Sequence, residues 1–307
     1  MKIAVTGATG FVGGYVVDAL LKAGHEPRVL VRNPDAARSR FNRPVPAVAG
    51  DLGDAGALER AFSGCDAVVH LVGIINEKEG LSFDAVHRQG TENVVAAMKK
   101  TGVRRLLHMS AMGASADSPS EYGRSKAAGE EAVRRSGLDA TIFRPSIVFG
   151  PGDGFATLLA RVVRMSPVFI PVIGPGTVRF MPVSVREVAA IFAAALEKPE
   201  TIGKSFDVGG PETLTMNEIY REIAAALGKP GKRLVHLPLW YGRILAAAMS
   251  VLPDPPLTRD QLRSLSLDNV GDVSPAAAVF GAPSVRFAEG IREYLRPRSR
   301  HDPKIGI

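Results

Sequence analysis

The chain has 307 residues, enough to bury the core of one large α/β domain together with a smaller lobe. Hydrophobic residues make up 46 % of it, which excludes an intrinsically disordered chain, and its single cysteine, Cys65, excludes a disulfide framework and a cysteine-based metal site. Lysine and arginine number 38 against 31 aspartates and glutamates, but they are scattered without interleaved aromatic residues, so we expect no nucleic-acid partner.

The first predicted element is a short strand of Ile3, Ala4 and Val5, followed at once by a glycine-rich turn and a helix. In this arrangement the backbone N–H groups and the positive dipole end of the helix point towards an anion, usually a diphosphate. Gly7 permits the tight turn, Gly10 lets the diphosphate approach the backbone, and Gly13 lets the helix pack on the strand. A second strand about twenty residues later completes the context of a dinucleotide site. The turn residues assigned to the cofactor are Gly7, Thr9, Gly10, Phe11, Val12 and Gly13.

Short apolar runs then alternate with longer amphipathic segments, a pattern typical of a parallel, doubly wound sheet. We predict strands at 27–31, 46–49, 67–71, 105–109 and 140–143, and helices at 55–62, 83–100 and 120–135. After Pro151 we predict a helix at 155–165, loops around Pro167, Pro171 and Pro175, and a strand at 205–208. Two reciprocal capping patterns, Ser184 with Glu187 and Thr215 with Glu218, predict helix starts.

These elements predict an α/β protein with a Rossmann-type doubly wound parallel sheet and a smaller, mostly helical C-terminal lobe. We place a cofactor-binding domain at 1–150, with a segment near 178–212 returning to it. The remainder, 151–307, is predicted to form the smaller substrate-side lobe, with proline breaks at 253–256, a further helix ending near 265, and a basic tail (Arg296, Arg298, Arg300 and Lys304).

In an open parallel sheet the ligand lies beyond the carboxyl ends of the strands, where the strand order reverses. The residues that follow the strands are therefore the remaining candidates for contact with the cofactor. They are Arg32, Asp51, Leu52, Leu71, Val72, Gly73, Ser110, Pro145, Ser146, Ile147 and Val148. We expect Asp51 to meet the adenine amino group and the backbone of 146–148 to line the carboxamide side.

Arg32 bears on the choice between the two pyridine nucleotides. An NAD-selective site usually has a carboxylate here to bind the ribose 2′-hydroxyl, whereas an arginine accommodates a 2′-phosphate. The sequence therefore predicts NADP(H) in preference to NAD(H). The alternative is that Arg32 is an ordinary surface arginine.

Tyr122 and Lys126 are the predicted catalytic pair, and both also belong to the predicted cofactor site. Three residues separate them, so on a helix they lie one turn apart on the same face. We expect the nearby ammonium group to lower the pKa of the phenol. Such a tyrosine can exchange a proton with a carbonyl oxygen during hydride transfer. A surface pair is the alternative.

The stretches Thr6-Gly-Ala-Thr-Gly-Phe-Val-Gly13, Tyr122-x3-Lys126 and Arg144-Pro-Ser-Ile-Val-Phe-Gly-Pro151 together resemble the extended and atypical short-chain dehydrogenases/reductases. More narrowly, four further stretches resemble the branch that contains the NADPH-binding accessory subunit of mitochondrial complex I and its bacterial relatives. They begin at His70, His108, Gly150 and Pro256. The resemblance implies tight dinucleotide binding, and implies that many members lack a demonstrated turnover.

One departure from the family pattern concerns the segment after the fifth strand. The resemblance places a carbonyl-binding serine or threonine at the position of Met112, and a thioether cannot donate a hydrogen bond. Ser110, Ser115 and Ser118 are the nearby hydroxyls that remain as substitutes. Two functions therefore stay open: an NADPH-dependent reductase of a small carbonyl or quinone-like compound, and a non-catalytic NADP(H)-binding structural, assembly or redox-sensing protein.

The remaining expectations concern metals, partners and location. His70, His87, His108 and His236 lack metal-ligand spacing, so we interpret them as packing or surface residues and expect no metal. The start of the chain lacks a signal-peptide pattern and no stretch is long enough to span a bilayer, so we expect a cytoplasmic protein. Peripheral membrane contact or contact with a respiratory complex stays open. Trp240, Tyr241 and the apolar segment 244–252 are interpreted as a roof over a substrate pocket, as core or as a partner contact.

Overall fold

A computed structural model describes residues 1–41, 43–77, 80–249, 257–264 and 267–296. The predicted proline breaks at 253–256, the last residues of the segment 244–252, and Arg298, Arg300 and Lys304 of the basic tail lie outside these ranges. None of the helices in the described ranges is both long and apolar enough to cross a membrane.

The strands, in chain order, are β1 (Lys2–Thr6), β2 (Glu26–Val31), β3 (Ala47–Ala49), β4 (Ala67–His70), β5 (Arg105–Met109), β6 (Asp139–Pro145), β7 (Val148–Phe149), β8 (Phe169–Ile173), β9 (Arg179–Phe180), β10 (Val183–Ser184), β11 (Ser205–Val208), β12 (Leu214–Thr215) and β13 (Arg233–Leu237). The helices are α1 (Phe11–Lys22), α2 (Pro34–Arg40), α3 (Ala55–Phe62), α4 (Gly90–Thr101), α5 (Glu121–Arg134), α6 (Phe155–Met165), α7 (Val185–Ala195), α8 (Met216–Ala226), α9 (Leu239–Met249), α10 (Arg259–Ser264), α11 (Ser274–Phe280) and α12 (Phe287–Leu295).

Seven parallel strands form the main sheet, in the order β11-β6-β5-β4-β1-β2-β3. The chain runs outwards from β1 in one direction and then from β4 in the other, so the strand order reverses between β1 and β4. This reversal is the position where doubly wound sheets bind their ligand. The predicted fold class is confirmed, and the segment 178–212 supplies β11 to the sheet.

Apolar residues of alternate strand positions pack on both sides of this sheet, as expected for a buried parallel sheet. One core contains Val5, Val29 and the inward faces of α1 and α7, and the opposite core contains Ala4, Leu30 and residues of α3 and α4. A third core joins α6, α8, α12 and β8 into the smaller lobe. Because the helices cover both faces, the strand ends are the part of this sheet that is left open for a ligand in the described ranges.

Several predictions of local structure need correction. The proline-containing stretch predicted as loops forms β8, which pairs with β13 in a two-stranded sheet, where Pro171 is tolerated because the strand has a single partner. The predicted helix at 83–100 begins with π-helical turns at Asp84–Gln89 before α4. Helix α2 was not predicted.

The two predicted capping patterns have different outcomes. Thr215 and Glu218 form the reciprocal capping box at the start of α8. Ser184 caps α7, but Glu187 accepts hydrogen bonds from the backbone N–H groups of Ser284 and Val285, so its predicted reciprocal role is wrong. A tertiary contact therefore replaces the local one.

Candidate dinucleotide site

The turn between β1 and α1 is tightly packed against its surroundings. Gly7 has a φ of +78°, and a Cβ atom at this position would lie 2.9 Å from the carbonyl carbon of Leu71. A Cβ atom at Gly13 would lie 2.0 Å from the Gly7 carbonyl oxygen, whereas one at Gly10 would meet only that oxygen, at 3.2 Å. The turn therefore requires glycine at Gly7 and Gly13 for packing, whereas a Cβ atom at Gly10 would make a single tight contact.

The N-terminus of α1 is available to an anion. Its N-cap, Gly10, makes no side-chain capping hydrogen bond, and the first turn contains no acidic residue. Thr9 and Gly10 are exposed, while Phe11 and Val12 are half-buried beside them. Uncapped N–H groups and the helix dipole suit a diphosphate, so the predicted turn residues fit a dinucleotide.

The ends of β2 and β3 lie next along the same sheet edge. Arg32 is exposed directly after β2, and Asp51 is exposed after β3, where one of its oxygens accepts the Gly53 N–H at 2.8 Å. Leu52 packs towards Gly90. Sequence reasoning missed Arg40, whose guanidinium group lies over α1 at Gly14 and adds a second cation beside this helix.

On the other side of the strand reversal, the loop after β4 contains Leu71, Val72 and Gly73. Leu71 packs against Gly7, and a Cβ atom at Gly73 would lie 3.7 Å from the Lys126 ammonium nitrogen and 3.5 Å from His87 Nε2. The N–H of Ile74 donates to His87 Nε2 at 3.0 Å. This loop therefore connects the glycine turn with the helix that carries the catalytic pair.

Lys126 is buried on α5, the helix that begins after the capping residue Ser120. Its Nζ donates to the Met109 carbonyl oxygen at 2.7 Å. Burial lowers the pKa of Lys126 to about 8, although the neighbouring Glu130 carboxylate acts in the opposite direction. The ammonium group is thus held at the end of β5, near Gly73.

Tyr122 lies one turn before Lys126, against the rings of Phe83 and His87. Its hydroxyl makes no hydrogen bond to any described residue. Burial raises the pKa of Tyr122 to about 12, so the predicted lowering of its pKa is wrong for this structure. The physical reason is that desolvation of the phenolate dominates while Lys126 donates to Met109. Tyr122 is consequently a protonated phenol, the form that can donate a proton.

Glu130 is a residue that sequence reasoning missed, although it follows Lys126 at the same four-residue spacing. It is almost fully buried and accepts two hydrogen bonds from Arg144, at 2.8 and 2.6 Å, and a third from Arg134. Burial opposes its ionisation, but the Arg144 guanidinium holds the pKa of Glu130 below its usual value. The carboxylate therefore stays ionised and supplies a negative charge near Lys126.

A family model described as NAD(P)H-binding matches residues 7–199, which include the glycine turn, Tyr122 and Lys126. The chain belongs to this NAD(P)H-binding family. Its sequence relatives and fold neighbours agree with the short-chain dehydrogenase/reductase resemblance of its motifs.

Two sequence relatives and one solved structure illustrate the range of this group. The chain is 32 % identical to mitochondrial NADH dehydrogenase (ubiquinone) 1 alpha subcomplex subunit 9 of Arabidopsis thaliana, over 87 % of this chain and 70 % of that one. It is 35 % identical to the ceramide reductase of Caulobacter vibrioides, over 77 % and 73 %. The UDP-glucose 4-epimerase of Thermotoga maritima shares the fold with a TM-score of 0.74 at 22 % identity, covering 96 % of this chain and 97 % of that one.

The resemblance places Met112 where the family pattern has a carbonyl-binding hydroxyl, and Met112 is buried. Of the three alternative serines, Ser115 accepts from the Asp117 N–H, and Ser118 contacts Ser120 at the start of α5. The Ser110 hydroxyl is buried without a hydrogen bond of normal geometry to the described residues.

The backbone of 145–148, which includes the stretch predicted to line the carboxamide side, forms several hydrogen bonds to other segments of the chain. The Ser146 N–H donates to Val208, the Pro145 carbonyl accepts from the Met112 N–H, and the Ile147 carbonyl accepts from the Val183 N–H. Val148 is part of β7, which pairs with β10. The side chains of Ile147 and Val148 are half-buried, and they pack against the core of the smaller lobe and the core beside α1 and α7, respectively.

Residues of the smaller lobe contact the start of α5 and the loop before it. The Asp260 carboxylate on α10 accepts the N–H groups of Glu121 and Tyr122, at 2.7 and 3.1 Å. Asn269 contacts both the Met112 carbonyl and the Ser146 hydroxyl. Sequence reasoning missed both residues because they are more than a hundred positions from their partners.

Three of the four histidines considered as packing or surface residues are buried. His70 contacts Thr6 and Thr91, and since the Thr91 hydroxyl donates to the His87 carbonyl, His70 Nε2 must donate to Thr91. His87 Nε2 accepts from Ile74, so its Nδ1 donates to Ser125. Burial lowers the pKa of both His70 and His87 to about 3, and that of His108 well below its usual value. No cluster in the described ranges suits a metal ion.

These neutral histidines predict loss of stability in mild acid. Between pH 6.5 and 5 the unfolded chain takes up protons on them while the folded chain does not, so unfolding becomes more favourable as pH falls. Each contributes up to about 1.4 kcal/mol per pH unit. We expect His87→Gln to reduce this slope in chemical unfolding. Equal slopes in His87→Gln and the unsubstituted chain would contradict the assignment.

Proposed function

We propose that this protein is an NADP(H)-dependent reductase of a small apolar carbonyl or quinone-like compound. The observation that carries the proposal is the position of Tyr122, one helical turn from the buried Lys126, whose ammonium group lies at the end of β5 on the same sheet edge as the glycine turn. When bound, NADPH supplies the hydride. Tyr122 would donate the proton to the carbonyl oxygen, and Lys126 would hold the nicotinamide ribose. The α1 N-terminus holds the diphosphate.

The ceramide reductase among the relatives supports an apolar substrate. The buried, unpaired thiol of Cys65 supports a reducing, cytoplasmic location.

The test is to supply the purified full chain with NADPH and a panel of carbonyls and quinones, and to follow the absorbance of NADPH. Oxidation that depends on the acceptor supports the reductase. Tight nucleotide binding without oxidation by any acceptor contradicts it and supports the second candidate.

The second candidate is a non-catalytic NADP(H)-binding protein with a structural, assembly or redox-sensing role. Met112 favours it, because the loss of one donor to a developing oxyanion typically costs about 10²–10³ in rate. The complex I subunit among the relatives supports a respiratory-complex partner for such a protein.

Arg32 carries the proposed preference for NADPH. Arg32→Asp replaces a cation with an anion where the 2′-phosphate is expected, so NADPH affinity should fall at least about tenfold more than NADH affinity. Isothermal titration of both nucleotides measures this ratio. Arg135→Asp is the matched control, since Arg135 is exposed at the opposite end of α5, far from the strand ends that hold the site. Equal losses for both nucleotides would refute the preference.

A further inference from the structure

The smaller lobe exposes a group of apolar and aromatic side chains on β8, β13 and α9. In the parallel pair of β8 and β13, Phe169 lies opposite Arg233 and Pro171 opposite Val235, so the exposed Phe169 and Val235 share one face. Their exposed fractions are 44 % and 38 %. Helix α9 packs on that face at its far end, since a Cβ atom at Gly242 would lie 2.6 Å from the Ile173 side chain.

Helix α9 extends this surface with its outward residues. Trp240 and Ile244, four residues apart on one side of the helix, are 61 % and 58 % exposed, and Tyr241 is exposed beside them. We call Phe169, Val235, Trp240, Tyr241 and Ile244 the apolar face. Five exposed apolar and aromatic side chains on neighbouring elements indicate a partner.

The two segments that contain β8, β13 and α9 have charged residues of one sign. These segments, 155–173 and 229–249, contain six cationic residues and no aspartate or glutamate. Arg233, which shares the face of Phe169 and Val235, and Arg243 on α9 are exposed and form no ion pair with any described residue. The cationic residues are Arg161, Arg164, Lys229, Lys232, Arg233 and Arg243. The partner that complements this surface is therefore both apolar and anionic.

We propose that the apolar face attaches the protein to the surface of an anionic phospholipid bilayer. Tryptophan and tyrosine prefer the headgroup level of a membrane, and arginines beside them meet lipid phosphates while apolar neighbours enter the acyl boundary. A bilayer matches every property of the face at once: its apolar and aromatic side chains, and a rim of unpaired arginines.

This attachment places the membrane close to the candidate site. Helix α9 contacts α10, and α10 binds the start of α5 through Asp260, next to Tyr122. The surface exists whether or not the protein turns over a substrate, so the inference goes beyond the proposed function and does not depend on it.

Vesicle binding tests the proposal directly. The purified full chain is mixed with phosphatidylcholine vesicles that either contain or lack phosphatidylglycerol. Trp240 is the only tryptophan of the chain, so its fluorescence reports the apolar face alone. We expect co-sedimentation and a blue shift of the emission with the anionic vesicles, both weakened by salt. Absence of binding, or binding without a shift, would overturn the proposal.

Variants test the apolar residues and the arginines of this surface separately. Ile244→Asp, and the double variant Arg233→Glu with Arg243→Glu, should each weaken vesicle binding at least about tenfold while leaving Trp240 in place. The controls are Ile202→Asp, at a site 37 % exposed shortly before β11 of the main sheet, and Lys99→Glu on α4. Equal weakening in variants and controls overturns the proposal. A dimer in solution that Ile244→Asp dissociates would also overturn it, because the face would then bind a second copy.

Discussion

Replacing Tyr122 with phenylalanine should lower the rate of NADPH-dependent reduction by about 10²- to 10⁴-fold, the usual contribution of a positioned proton donor. The change removes only the hydroxyl, which makes no hydrogen bond to the described residues, so the ring packing with Phe83 and His87 should survive. Nucleotide affinity should stay within about threefold of the original, because the diphosphate and ribose contacts involve other groups. The loss therefore falls on kcat.

The matched control is Tyr220→Phe. Tyr220 is also buried, burial likewise raises the pKa of Tyr220 to about 12, and its hydroxyl makes no hydrogen bond within the described residues. It belongs to the core of the smaller lobe, so its loss should leave kcat unchanged. Steady-state rates with the best acceptor from the panel, and thermal unfolding of both variants, make the comparison. Full activity in Tyr122→Phe would remove Tyr122 from the mechanism and leave the cofactor site unaffected.

Local signals explain which parts of the fold could be predicted. The bounds of α3 and α6 match the predicted ranges because apolar spacing defines both helices and Asp54 caps the first. The glycine turn was predictable because its function requires particular residues in consecutive positions. Strand β8 could not be predicted in this way, because a proline such as Pro171 is typical of a loop. The strand that pairs with it, β13, lies about sixty residues later in the chain.

Some residues of the candidate site could likewise be predicted from local patterns, and others could not. Arg32, Tyr122 and Lys126 follow from position in the motif, whereas Glu130, Asp260 and Asn269 act through contacts with distant segments. The pKa of Tyr122 depends on the balance between desolvation and a neighbouring charge. The helical spacing predicts that the Lys126 charge lies near the phenol. It does not predict how deeply the phenol is buried, and burial raises the pKa that the charge alone would lower.

Gly13→Ala should produce the largest loss of nucleotide binding and of stability together. The added Cβ atom would lie 2.0 Å from the Gly7 carbonyl oxygen and 2.8 Å from the Ala8 Cα, both backbone atoms that cannot rotate away. Helix α1 must shift off β1, which we expect to cost about 1–3 kcal/mol of unfolding free energy. The same shift displaces the N–H groups that bind the diphosphate, so NADPH affinity should fall at least about a hundredfold.

Gly10→Ala separates binding from folding. Its Cβ atom would meet only the Gly7 oxygen, at 3.2 Å, a tight contact that needs a small shift, and its φ of −71° suits alanine, so the melting temperature without nucleotide should fall much less than in Gly13→Ala. Affinity should still fall, because the methyl group occupies the space proposed for the diphosphate. Gly231→Ala, where nothing lies within 4 Å of the new atom, should change neither quantity. Calorimetric titration and thermal unfolding distinguish the three variants. Unchanged NADPH binding in both Gly10→Ala and Gly13→Ala would mean that the nucleotide lies away from this turn, and the reductase proposal would fail with it.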